Sequence, residues 1–321
     1  MYQIKLVLSG GGINGIIHLG ALSQLISEGF QPVSITGTSA GAIVSAIFTS
    51  QLRMSQGNFE NALTKLFKLL NYDLTKFKDT SHFDLLIGFL RRDIRKVGLF
   101  KGKKAHKFLL EYTNELTFND LTYCECIITA TELYSGRLVV FSKKTTPDVK
   151  LADAARASMG MQFAFKPFKI RVDYLKNAIF EANIYDNKLL MKSPSVLADK
   201  DGNIYLIDGG NLGNCRTDIA HYYHCIGMPV VGVSLTYDNV PRYSLSPVTL
   251  AFHTVEIMMN AMEEIIQYNI DSEVMLRSKY RIDTLNFDLT IDEKRTLVDK
   301  GRMLVKLNRE LIKQKCIKGQ T

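Results

Sequence analysis

The sequence predicts an α/β fold with a mainly parallel central sheet, and three observations carry that prediction. Within the first fifty residues an apolar run, a glycine loop, a helical period, a second β-rich run and a small-residue helical run follow one another. That is one complete β-loop-α-β-turn-α unit, and such units build parallel sheets through right-handed crossovers. Short apolar runs recur further along, separated by segments of helical period. Three loops of special composition, Gly10–Gly15, Gly37–Gly41 and Asp208–Gly210, each follow a β-rich run, as ligand-binding loops do at the carboxyl edge of an open parallel sheet.

The elements follow in order. Ile4–Leu8 is short and apolar, suited to a buried parallel strand. Apolar residues at 16, 19, 22, 25 and 26 predict a helix, which Gly29 ends and Pro32 separates from the next strand, Val33–Thr36. Residues 58–116 read as helical, with one stripe through Phe59, Leu63, Leu66 and Leu70 and another through Phe83, Leu86, Leu90 and Val97. Such stripes are packing faces, or the cover of an apolar cleft. Strands return at Cys124–Thr131 and Leu138–Phe141, a helix at Leu151–Met159, and strands at Ile204–Ile207 and Pro229–Leu235. From Thr249 onward the chain reads as helices, including a methionine stripe at Met258, Met259 and Met262. The expected organisation is a catalytic domain over residues 1–240 and a helical C-terminal extension, residues 241–321, packed on it.

Composition narrows the function classes. The chain has 321 residues, is 46% hydrophobic and carries a formal net charge of +8. Its five cysteines form no C-x-x-C pair, so reduced thiols in an intracellular compartment are expected and Cys124-x-Cys126 is not read as a metal site. No apolar run reaches the ~18 residues a membrane span needs, and the N-terminus reads as a strand rather than a signal peptide. A basic balance favours anionic partners. Two runs concentrate it: Arg91 to Lys107, and Lys294 to Lys318 with Leu297, Leu304, Leu307 and Leu311 at helical spacing. Each is a solvated helix face or a membrane-surface contact. No aromatic run interleaves the basic stretches and Trp is absent, so nucleic acid is not an expected partner.

Chemistry centres on the three loops. Gly37-Thr38-Ser39-Ala40-Gly41 is G-x-S-x-G between a strand and a helix, the context in which a serine hydroxyl is pushed out on a sharp turn. Ser39 is therefore the candidate nucleophile, and it needs a base in hydrogen-bond reach. Asp208, at a strand end with Gly209-Gly210 behind it, is the candidate base, effective if desolvated and aligned. The glycine loop is the candidate oxyanion hole, formed by backbone N–H groups of Gly10, Gly11, Gly12 and Ile13, each donor typically worth ~3 kcal/mol of barrier. Gly10, Gly12 and Gly15 also match G-x-G-x-x-G, but the second strand ends in the serine turn instead of the acidic residue a dinucleotide requires. A Ser-Asp-His triad would draw on His221, His224 or His253, all of which follow Asp208; with Asp208 alone as base, the pH profile should lack an essential group near the histidine value. Neither cofactor nor metal is expected.

On these residues the chain resembles the patatin-like phospholipase family. The resemblance rests on Gly10-Gly11-Gly12-Ile13-Asn14-Gly15, Gly37-Thr38-Ser39-Ala40-Gly41 and Asp208-Gly209-Gly210, supported by Ala130-Thr131-Glu132, Ala155-Arg156-Ala157-Ser158, Phe165, Pro167 and Asn214. It spans residues 4–235 and implies a three-layer α/β/α fold, a Ser39–Asp208 dyad without histidine, and hydrolysis of phospholipid or lysophospholipid esters. The pattern departs at Asn14, where the family usually has Arg or Lys, at Gln162, where it usually has Pro, and at Arg216, where it often has Pro. Those departures motivate an alternative, a catalytically silent lipid-binding protein on the same scaffold.

Overall fold

β1 (Tyr2–Leu8) alternates cleanly between two cores. Ile4, Leu6 and Leu8 enter the large one, while Val7 packs on the opposite face with Cys215, Ala220 and Val230. A strand buried on both faces is the mark of a parallel sheet covered on each side. The computed structural model describes residues 1–80, 94–183, 188–191, 198–223, 228–235, 254–255, 257–259, 261–262, 273–278 and 282–318. After β1 come α1 (Ile16–Ser27), β2 (Phe30–Thr38), α2 (Ala40–Met54), α3 (Phe59–Phe67), α4 (Lys103–Tyr112), β3 (Glu125–Glu132), β4 (Leu138–Phe141) and α5 (Leu151–Ser158). Then follow β5 (Phe168–Arg171), β6 (Ile179–Asn183), β7 (Lys188–Met191), β8 (Asn203–Asp208), α6 (Thr217–Tyr223), β9 (Val230–Ser234), β10 (Glu273–Arg277) and α7 (Ile291–Lys318).

One ten-stranded mixed sheet results, ordered β10-β9-β1-β2-β3-β4-β6-β7, with β8 beside β3 and β5 beside β8. The five strands from β10 to β3 are mutually parallel. The rest pair antiparallel. Helices cover both faces, giving the three-layer α/β/α arrangement. Pro32 lies within β2 instead of ahead of it, next to an irregularity in the β1–β2 register, where a missing N–H is tolerated. β5, β6 and β7 were not legible as strands. The C-terminal part is not purely helical: residues 273–277 form a strand parallel to β9. The expected boundary near residue 240 lies outside the described residues, as do Phe83, Leu86, Leu90, Arg91 and Arg92, while the methionine stripe is split, with Met259 buried and Met258 exposed.

β8 corrects the expectation that all three special loops leave parallel strands. β2 runs along β3 as far as Thr38, opposite Thr129. β8 comes the other way, antiparallel, and ends at Asp208, opposite Ala130. The carboxyl ends of β2 and β8 thus meet at adjacent rungs of β3, so the loops converge by a head-to-head junction rather than along one parallel edge.

Candidate active site

Ser39 joins β2 to α2 with φ 52° and ψ −115°, a conformation costing a non-glycine residue about 1–3 kcal/mol. The surroundings hold it there. Its N–H donates to Ser158 Oγ (2.8 Å), and its carbonyl accepts from the N–H groups of Ala42 and Ile43. Gly41 N–H donates to Ser9 O, tying the turn to the glycine loop, while Gly37 is packed against Gly41 and Gly15 against Ala40. Thr38 and Thr129 share a hydroxyl hydrogen bond of 2.8 Å beneath the turn.

Ser39 Oγ donates to Asp208 Oδ2 at 2.7 Å, across 169 positions of sequence. Asp208 is 1% exposed, and its other oxygen accepts from Gly210 N–H at 2.8 Å. Gly209 is pressed against the Thr129 carbonyl. Burial pushes the Asp208 carboxyl up to about 6, against the smaller opposing effects of the Gly210 and Ser39 hydrogen bonds. The carboxylate is thereby a stronger base than a free aspartate. It also titrates close to where a histidine would, so the presence or absence of a limb there does not by itself separate the two.

The glycine loop is divided in its hydrogen bonding. Gly10 N–H donates to Asn214 O and Ile13 N–H to Thr284 O, so these two of the four expected oxyanion donors are engaged. Among the described residues, the N–H groups of Gly11 and Gly12 have no hydrogen-bond partner. Both residues line, with Ser39 and Asp208, a cavity of about 150 Å³. Gly12 has φ 55° and abuts Thr284, leaving no room for a Cβ. The remaining wall is apolar, including Leu19, Val44, Leu70, Phe77, Met161 and Phe287, a lining suited to an aliphatic chain.

Each departure from the sequence pattern has a structural part. Asn14 Nδ2 donates to Ile282 O (2.8 Å) and its Oδ1 accepts from Ile282 N–H (2.9 Å), while Nδ2 also reaches Gly11 O (3.2 Å). Lys or Arg has no acceptor and could not make this reciprocal pair. Gln162 donates to Asn211, whose amide donates to the Asp208 carbonyl. Arg216 makes a two-pronged pair with Asp218 and donates to Leu212 O.

Histidine enters where it was not sought. His18, buried in α1, donates from Nε2 to Ser9 O at 2.8 Å; a carbonyl only accepts, so the proton sits on Nε2. Burial lowers its pKa to about 4, keeping it neutral. Its position within an apolar helix period gave no signal beyond packing. His221 lies in α6, and His224 and His253 fall outside the described residues. Among the described residues, no group of three His, Cys, Asp or Glu side chains could hold a metal, and Cys124 and Cys126 are buried thiols whose pKa burial raises. No helix among them is long and apolar enough to cross a membrane.

A profile of the patatin-like phospholipases matches residues 6–221. The chain belongs to the patatin-like phospholipase family. It is similar to the uncharacterized protein YqhO of Bacillus subtilis, 28% identical over 192 residues, which are 56% of this chain and 63% of YqhO. The chain thus spans less than two thirds of that relative's length. It is 25% identical to the uncharacterized protein R571 of Acanthamoeba polyphaga mimivirus over 290 residues, 84% of this chain and 88% of R571. Triacylglycerol lipase 4 of Saccharomyces cerevisiae is 32% identical over 121 residues, 37% of this chain and 13% of the lipase.

Proposed function

We propose that this member of the family is a lipid acyl hydrolase of the phospholipase A or lysophospholipase type, cleaving carboxyl esters through an acyl-enzyme on Ser39. The observation that carries the reading is the 2.7 Å hydrogen bond from Ser39 Oγ to Asp208, two residues that line a largely apolar cavity. The family match and the lipase name of one relative support the substrate class.

In this mechanism the acyl chain lies along the apolar wall and the ester carbonyl meets Ser39. Asp208 takes the hydroxyl proton as Oγ bonds to the carbonyl carbon. The carbonyl oxygen becomes an oxyanion, and the N–H groups of Gly11 and Gly12 stabilise it. As the intermediate collapses, the proton on Asp208 passes to the departing alkoxide, which leaves as an alcohol or lysolipid. Water then attacks the acyl-Ser39 ester, giving its proton to Asp208, and the second collapse returns that proton to Ser39 Oγ and releases the fatty acid. No step requires a histidine. The basic balance directs the enzyme to anionic lipid surfaces.

The test is hydrolysis of a soluble short-chain ester and of phospholipid, lysophospholipid and triacylglycerol by the wild type, Ser39→Ala and Asp208→Asn. Turnover by the wild type, its loss in Ser39→Ala and a fall of roughly 10²–10⁴-fold in Asp208→Asn are expected. Lipid binding without turnover by the wild type would favour the silent lipid-binding alternative and overturn the proposal.

A further inference from the structure

α7 has two apolar faces where one suffices for folding. Its inward face, with Leu297, Val298, Val305, Ile312 and Cys316, is buried, and Gly301 lies directly on the backbone of α1. On the opposite side Met303, Leu307 and Leu311 stand 57%, 76% and 46% exposed. Their spacing of four places them on one outward ridge about 12 Å long. The leucine series that reads in sequence as a single stripe is therefore split, with Leu297 in the core and Leu307 and Leu311 outside.

The surroundings of the ridge are cationic. Arg302, Lys306 and Lys313 line one flank, Lys315 the other, and Lys300 and Lys318 lie at its two ends; between 300 and 318 the one acidic residue is Glu310. Seven Lys and Arg residues stand against that one carboxylate between 300 and 318, so the segment stays positive although Arg302, Lys313 and Arg309 make ion pairs to Asp299, Glu310 and Glu28. We propose that this outward face of α7 docks on an anionic lipid bilayer, with the ridge entering the interface and the flanking cations meeting lipid phosphates and carboxylates. An apolar ridge between cationic flanks is the pattern of a helix lying in a membrane surface. A second copy of the chain would bring the same positive face against itself and be repelled. Duplex or single-stranded nucleic acid would gain nothing from the aliphatic ridge, and no aromatic residue lies in 300–318 for base stacking.

The helix also connects to the cavity. Lys294, in its first turn, donates to the carbonyls of Leu70 (3.0 Å) and Tyr72 (2.8 Å), and Leu69 and Leu70 line the cavity wall. A bilayer held by α7 therefore lies on an element fastened to the acyl-chain pocket. The proposal rests on the lipid-ester reading for its purpose and adds the surface by which that site reaches its substrate.

The test is cosedimentation of the full chain with phosphatidylcholine vesicles, with and without phosphatidylserine. The wild type and Ser39→Ala should bind phosphatidylserine vesicles alike. Binding should weaken between 0.1 M and 1 M NaCl as the screening length falls from about 10 Å to about 3 Å. Leu307→Asp/Leu311→Asp should bind roughly tenfold or more weakly, and Lys306→Glu/Lys313→Glu should also lose binding, both with unchanged circular dichroism and unchanged turnover of a soluble short-chain ester. Failure of the wild type to bind, equal binding to neutral vesicles, or variants binding like the wild type would overturn the proposal. So would a wild-type dimer that Leu307→Asp converts to monomer, or retention on nucleic acid in place of vesicles. Vesicle binding lost with the ridge, in a protein that turns over no ester, would leave docking standing and the hydrolase reading failed; ester turnover without vesicle binding would do the reverse.

Discussion

Ser39 and Asp208 are shaped by opposite demands. The serine is held in a disfavoured backbone conformation so that its hydroxyl points at the carboxylate, and the carboxylate is buried so that it holds a proton more readily than a free aspartate. With the Asp208 pKa at about 6, kcat/KM should rise with pH through that value and level off above pH ~7, since in the proposed mechanism the ionised carboxylate accepts the Ser39 proton. His106→Ala and His221→Ala should keep this limb and retain most activity; loss of the limb in either folded variant would make that histidine the base. His18 is different, because it holds the Ser9 carbonyl that also anchors Gly41. His18→Ala is expected to disturb the glycine loop without histidine taking part in proton transfer. The motif residues were legible because strand, glycine and nucleophile lie together in sequence. His18 and Asn14 were not, because their hydrogen-bond partners are a carbonyl on another element and a backbone segment 268 residues away.

At the scale of elements, two contacts decide whether the loops hold their places. The first is the reciprocal pair between Asn14 and Ile282, with Ile13 N–H on Thr284 O beside it. It makes a segment near the C-terminus the backing of the glycine loop. Asn14→Leu should lower kcat by roughly 10²-fold, the cost of an ångström-scale misplacement, with KM changed much less; Asn14→Gln should recover part of the loss. An equal rise in KM with kcat intact would place the pair in substrate binding instead. The second contact is the crossing of α1 and α7, where Gly20 faces the Val298 carbonyl and Gly301 faces the Ile17 carbonyl. A methyl group at either site must push two backbones apart, so Gly301→Ala should destabilise the fold by about 1–3 kcal/mol in urea denaturation. Four strands of the parallel half, β1, β2, β3 and β9, were readable as short apolar runs. The direction of β8 was not, since a run such as Ile204–Ile207 looks the same whichever way it enters a sheet. Nor was β10, which lies in a stretch whose apolar residues also fit a helical period.

For the whole molecule, two buried groups oppose each other as pH changes. Asp208, raised from 3.8 to about 6, favours the folded state below its unfolded pKa and loses that contribution as pH rises through about 6. His18, lowered from 6.5 to about 4, favours the folded state above 6.5 and loses its contribution as pH falls through about 4. Each shift corresponds to on the order of 3 kcal/mol. Asp208→Asn removes the first effect alone. Its stability relative to the wild type should therefore rise between pH ~4 and ~6 and stay raised at pH 7.5, a gain in stability that accompanies loss of activity. The same logic links fold and function: the head-to-head meeting of β2 and β8 excludes water from the carboxylate and delivers it to the serine. The most direct measurement is labelling of the wild type with a fluorophosphonate, followed by mapping of the adduct by mass spectrometry. A single adduct on Ser39, formed far more slowly in Asp208→Asn and absent in Ser39→Ala, is the predicted result. An adduct on another residue, or labelling of Ser39 at an unchanged rate in Asp208→Asn, would contradict the dyad.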